Sequence, residues 1–104
     1  MEQIPHEAKA YKKTALFSNE SVPESLLNFH LIQDKTWATI NVQSGALIYR
    51  ILSPVIEEIR LDPDHPGVVS PGVPHRVEFF CPVTFYLEFY RIPASLDDLR
   101  KSIR

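Results

Sequence analysis

The stretch Trp37-Ala-Thr-Ile-Asn-Val-Gln-Ser-Gly-Ala-Leu-Ile-Tyr-Arg-Ile-Leu52 decides the fold class. From Trp37 the apolar pattern has a period of two. Ala38, Ile40 and Val42 point one way, and Thr39, Asn41 and Gln43 point the other. That alternation belongs to a half-buried strand, because successive side chains of a strand leave opposite faces of the pleat. Ser44-Gly45 supplies a turn, and Ala46–Leu52 is expected to return as the second arm of a hairpin.

Downstream the pattern repeats in short pieces. Val55–Leu61 reads as a strand, with Pro54 before it and Asp62-Pro63-Asp64 after it. Val68-Val69 is closed by Pro71-Gly72, and Val73–Phe80 and Val83–Arg91 hinge at Cys81-Pro82. Nine prolines against three glycines punctuate these runs by fixing φ in the turns. Short strands at regular spacing predict a sandwich or small barrel, and closure would remove exposed edges.

Upstream, residues 1–14 read as a polar N-terminal arm carrying Lys9, Lys12 and Lys13, leading into a short strand near Thr14–Phe17. Ser21-Val-Pro-Glu24 has the form of a capping box, so Pro23–Asn28 is expected to make a short helical turn. At the other end Ser95 is a suitable N-cap with Asp98 in the first turn. Leu96, Leu99 and Ile103 recur at helical spacing, and Arg100, Lys101 and Arg104 lie toward the C-terminal end. Residues 93–104 are therefore expected to form a helix of about two turns. No repeat or linker divides the chain, so residues 1–104 read as a single domain.

Bulk composition excludes several classes. The chain is 44% apolar and 23% charged with a net charge of −2, which gives no bulk attraction to nucleic acid or anionic lipid. No apolar run has the length of a membrane span, and the N-terminus lacks the apolar core of a secretory signal. Cys81, the sole cysteine, has no intrachain partner, and a cytoplasmic location is expected. No sequence neighbour activates its thiol, so Cys81 reads as structural.

The candidate chemistry rests on histidines and carboxylates. His75 follows Pro71-Gly72-Val-Pro74, a turn that delivers an imidazole to a strand start. A rigid element holds a ring there, as a metal ligand requires. His30 precedes the first clear strand, and Glu78 and Glu88 lie on the two C-terminal strands. Two imidazoles with one or two carboxylates would suit a divalent metal such as zinc, iron, nickel or manganese, with open positions. A lone histidine at a strand start is more often a hydrogen-bonded structural residue. Glu78, three residues from His75, points to the opposite face unless a bulge intervenes. Glu88 shares a face with Tyr86 and Tyr90, and so reads equally as an outward residue. Between the two acids, Glu88 is preferred as the ligand. His6 falls in the arm, and His65 in Asp-Pro-Asp-His-Pro reads as a solvated turn residue. Trp37, Tyr49, Tyr86 and Tyr90 are candidates either for lining a pocket or for ordinary cross-strand packing.

Taken in order, Ser21-Val-Pro-Glu-Ser-Leu-Leu-Asn-Phe-His30, Thr36-Trp37, Gly45-Ala-Leu-Ile-Tyr49, Pro74-His75-Arg-Val-Glu78 and Phe85-Tyr-Leu-Glu88-Phe-Tyr-Arg91 resemble the tellurite-resistance-associated cupin family, over about residues 10 to 92. The family occurs as small stand-alone proteins and as a domain preceding the tellurite-resistance methyltransferase. The resemblance implies an all-β fold, a cupin-type double-stranded β-helix or jelly-roll barrel, and a divalent metal in some members. Gly72-x-x-His75 matches the second cupin motif, whose histidine is a ligand. Gly45 matches the glycine closing the first motif, which makes His30 the remnant of that motif's histidines. The glutamate of the first motif falls near Ala38, so a carboxylate must come from elsewhere, from Glu78 or Glu88.

The implied function is a metal-binding cupin that binds or senses a small anion or metabolite under tellurite-type or nitrosative stress. The alternatives are a metal-dependent dioxygenase or isomerase, and a metal-free partner-binding module. Small cupins commonly pair by strand or arm exchange, so a homodimer is expected.

Overall fold

A computed structural model describes residues 1, 3–23 and 36–93. The expected helical turn at 23–28, His30 and the expected helix over 93–104 fall wholly or mainly outside these residues.

Eight strands are described: β1 (Lys9–Lys13), β2 (Phe17–Ser18), β3 (Thr36–Ser44), β4 (Leu47–Ile51), β5 (Glu57–Leu61), β6 (Gly67–Val69), β7 (His75–Glu78) and β8 (Thr84–Arg91). They form two antiparallel sheets. The larger has the order β1-β8-β3-β6, with β2 also paired to β8, and the smaller has the order β5-β4-β7. The architecture is all-β, and among the described residues the two sheets do not close into one continuous barrel. No helix of the described residues is long and apolar enough to cross a membrane.

The period-two reading of residues 37–43 holds. Ala38, Ile40 and Val42 are buried and meet Leu47, Tyr49 and Ile51 of the opposite sheet, together with Leu61, Val69, Val77, Phe85 and Leu87. The expected hairpin is corrected. β4 does not pair with β3; it pairs with β5 and β7 in the other sheet. Ser44-Gly45 is therefore a corner between sheets. Both edges of β3 are taken by β6 and β8, and crossing over lets the apolar face of β4 cover that of β3. Gly45 has φ +79°, and a Cβ there would lie 2.2 Å from the Pro82 carbonyl oxygen, so only glycine turns the chain at this point.

The arm is also corrected. Residues 9–13 are a strand on β8, with a bulge between Ala10 and Lys12. Thr14 carries the ladder across the gap to β2. Its N–H donates to the Leu87 carbonyl at 2.9 Å, and its Oγ1 accepts the Leu87 N–H at 3.0 Å. All five residues of β1 are exposed, and three of them are lysines, a composition that discourages further edge pairing. The strand expected from Val55 begins at Glu57, leaving Val55 and Ile56 exposed in the loop after β4.

Candidate functional site: a cleft between the sheets

β6 is an edge strand, and its packing against the smaller sheet builds the site. Gly67 allows the approach: a Cβ there would fall 2.5 Å from Leu61 Cδ1 and 3.3 Å from Tyr49 Cδ2. At this distance the Tyr49 hydroxyl donates to the Val68 carbonyl at 3.0 Å. Tyr49 is fully buried, and burial pushes its phenol above the usual tyrosine range, with the charge of Glu57 adding to the effect.

Beside this bond lies a cleft of about 210 Å³, open on one side. Its walls include Tyr49 and Ile51 of β4, Glu57 of β5, Val68 of β6, and Ser70 and Val73 of the connection to β7. Ser70 is buried, and so is His75. The His75 ring stands edge-on to Tyr49, centroids 5.4 Å apart, one ring removed from the cleft wall. Its Nδ1 lies 3.2 Å from the Val73 carbonyl oxygen. A carbonyl only accepts, so this contact requires a proton on Nδ1.

Of the four expected ligands, His75, Glu78 and Glu88 are among the described residues, and these three do not come together. His75 points into the interior, as expected for the first residue of its strand. Glu78 lies on the outer face of the smaller sheet, paired with Arg50, which also donates to Glu58 at 2.9 Å. No bulge interrupts the β4–β7 register between Ile51–His75 and Ile48–Glu78, so the three-residue spacing keeps Glu78 on the far side from His75. Glu88 lies on the outer face of the larger sheet. It sits opposite Thr39 and accepts a 2.8 Å bond from the Tyr90 hydroxyl, which raises the Tyr90 pKa. Leu87 and Phe85 take the inward positions of that strand. His30 is not among the described residues. No three His, Cys, Asp or Glu side chains of the described residues form a metal-holding group.

The remaining candidates separate cleanly. His65 is an exposed turn residue with Nδ1 2.8 Å from Asp62 Oδ1. His6 is almost fully exposed beside Glu7. Cys81 is half-buried, its Sγ 3.4 Å from the Ala46 carbonyl oxygen. Of the aromatic candidates Tyr49 lines the cleft, whereas Tyr86 lies on the outer face under Lys13, whose Nζ is 4.4 Å from the ring centroid. Glu57 and Ser70 carried no sequence signal: Glu57 is one of two adjacent glutamates on a mixed strand, Ser70 is a single hydroxyl after an apolar run, and only the packing of β6 on β4 brings them to one wall.

Comparison with known proteins adds a family to this geometry. The TehB-like domain family matches residues 12–87. Among solved structures, a protein from E. coli (strain K12) superposes with a TM-score of 0.77 at 20% identity, covering 90% of this chain and 100% of that one. TehB from Haemophilus influenzae superposes with a TM-score of 0.75 at 26% identity, covering 84% of this chain. The match spans 32% of that TehB chain, about a third of its length. No curated protein matches the chain.

Proposed function

Since this chain belongs to the TehB-like tellurite-resistance family, we propose that it is a small-ligand-binding domain of the tellurite response, with a cupin-type jelly-roll architecture and its ligand in the cleft beside Tyr49. The strand path supports the architecture. From β3 to β8 the chain changes sheet at every connection except β4–β5, the alternation that two Greek keys impose on a jelly roll. One observation carries the ligand reading: a largely apolar cleft in a small domain has convergent polar groups at its wall, the Tyr49 hydroxyl and buried Ser70, with buried His75 behind them. Ligand sites are commonly built this way.

A divalent metal at His75 is the second reading. The Nδ1 contact with the Val73 carbonyl favours it, because a backbone acceptor on one ring nitrogen orients the other toward a metal. This reading takes His30 as the further imidazole and would open the way to dioxygenase or isomerase chemistry. The expected cytoplasmic homodimer belongs to the same proposal.

Native mass spectrometry with elemental analysis of the protein as isolated tests the assignment. The expected result is one small non-covalent adduct per chain, lost in Val73→Phe, whose ring fills the cleft. An adduct retained in full by folded Val73→Phe, or no adduct on the wild type, contradicts it. Stoichiometric metal lost in His75→Ala would select the second reading.

A further inference from the structure

A second depression lies where β6 stops short of the end of β3. The register runs Ala38–Val69, Thr39–Val68 and Ile40–Gly67, and β3 continues to Ser44. Carried on by two residues, it would set Val42 opposite His65. Instead the chain turns away: the His65 N–H donates to the Asp62 carbonyl at 3.0 Å, and Pro66 has no N–H to offer. Further along the same edge the backbone is met differently. The Val68 carbonyl accepts from Tyr49, and the Val68 N–H donates to Met1 Sδ, another residue lining the cleft, at 3.0 Å.

The direction of the Val42 N–H follows from the ladder. Both backbone groups of Leu87 go to Thr14, so the pair Ile40–Leu87 exchanges no bonds and the next pair, Asn41–Tyr86, does. The Asn41 carbonyl therefore points to β8, and across the same trans peptide the Val42 N–H points the opposite way. There it meets a groove of about 380 Å³ that Val42 lines, although its side chain belongs to the core. Val42 is only 7% exposed, and no acceptor among the described residues meets this N–H. Backbone donors so nearly enclosed almost always have a partner in native proteins.

The other polar groups of the groove are braced from behind. The Asn41 amide nitrogen donates to Thr39 Oγ1 at 2.8 Å, which leaves its Oδ1 uncommitted. Asp62 Oδ1 accepts the Asp64 N–H at 2.9 Å and lies 2.8 Å from His65 Nδ1, which leaves Oδ2. The His65 contact holds the Asp62 carboxyl below the usual carboxylate range, so at neutral pH this group only accepts. Gln43 is exposed at the bulge between Val42 and Ser44. Tyr86, opposite Asn41 on β8, supplies an aromatic ring, against which Lys13 Nζ also lies.

We propose that this groove binds a neutral sugar, with one pyranose ring against Tyr86 and its hydroxyls meeting the Val42 N–H, Gln43 and Asp62. A hydroxyl donates and accepts at once, so a polyol satisfies a donor N–H and a carboxylate set side by side. Asp62 is the one charged residue lining the groove among the described residues, and an anion would meet its like charge. A simple cation would leave the Val42 N–H without an acceptor. An aromatic ring with a few braced polar groups is a common form of ligand site. The groove is separate from the cleft beside Tyr49, and the inference stands without that reading.

The test is a titration of the ¹⁵N-labelled full chain with methyl β-D-glucoside and, separately, methyl β-D-galactoside. Cyclohexanol and N-acetylglycine N-methylamide serve as comparisons. At least one glycoside is expected to shift the Val42 amide at millimolar concentration, equally at low and high salt because the ligand is uncharged. Cyclohexanol should leave that amide in place. Gln43→Ala and Asp62→Asn should each weaken the glycoside about fivefold, the scale of one lost hydrogen bond. Gln43 is exposed, so its variant reads a contact rather than folding. The proposal is overturned if neither glycoside moves the Val42 amide, or if cyclohexanol moves it as readily. A shift by the amide compound alone replaces the sugar with an extended peptide and equally overturns it. Undiminished glycoside binding by both variants places the sugar elsewhere and does the same.

Discussion

Tyr49 and Val68 stand on facing sheets, and the hydrogen bond from the Tyr49 hydroxyl to the Val68 carbonyl ties edge strand β6 to the centre of the smaller sheet. Tyr49→Phe keeps the ring and removes this tie. It should cost about 1–2 kcal/mol in urea unfolding, the scale of one lost hydrogen bond to a partly buried acceptor. A loss below a few tenths would mean that the bond does not hold β6.

The same residue gives a pH prediction. The folded-state pKa of Tyr49 lies above its unfolded value of about 10. Its contribution is therefore fully present below about pH 10. It declines as pH rises further, because the unfolded chain releases a proton that the folded chain keeps. Wild-type stability should fall faster than that of Tyr49→Phe across this alkaline window. By ultraviolet difference absorbance, one of the four tyrosines should ionise only on unfolding. Equal alkaline slopes for the two proteins would contradict this.

Glycine substitutions separate backbone strain from crowding. Gly72 has φ +73° with open space around it, so Gly72→Ala should cost about 1–2 kcal/mol from left-handed strain alone. Gly45→Ala adds a clash with the Pro82 carbonyl to the same strain and should cost distinctly more in the same unfolding assay.

Much of the fold was legible because period-two patterning reports directly which side chains share a face. Pairing was not legible. Ser44-Gly45 has the composition of a hairpin turn and of an inter-sheet corner alike, and only the partners of β3, at residues 67–69 and 84–91, decide between them. At the site, parity already placed Glu78 opposite His75, and the unbroken register kept it there. Glu88 was harder, because Phe85–Tyr90 presents large aromatics on both faces. The cleft itself was invisible to sequence: Met1, Glu57 and Ser70 come from three distant segments and share no motif.

Arg50 bridges Glu58 and Glu78 across three neighbouring strands. Arg50→Ala should destabilise the protein more at low salt than at high salt, since half-exposed ion pairs are screened. A salt-independent loss would assign the effect to packing of the aliphatic stem instead.

The central claim is that the cleft between β4 and β6 does the work of this domain. The most direct measurement is tellurite tolerance of cells lacking the gene, complemented with wild type or with Val73→Phe at equal folded-protein level. The account predicts that wild type restores tolerance and that Val73→Phe, folded but with its cleft filled, does not. Full restoration by Val73→Phe would contradict it and move the function to another surface.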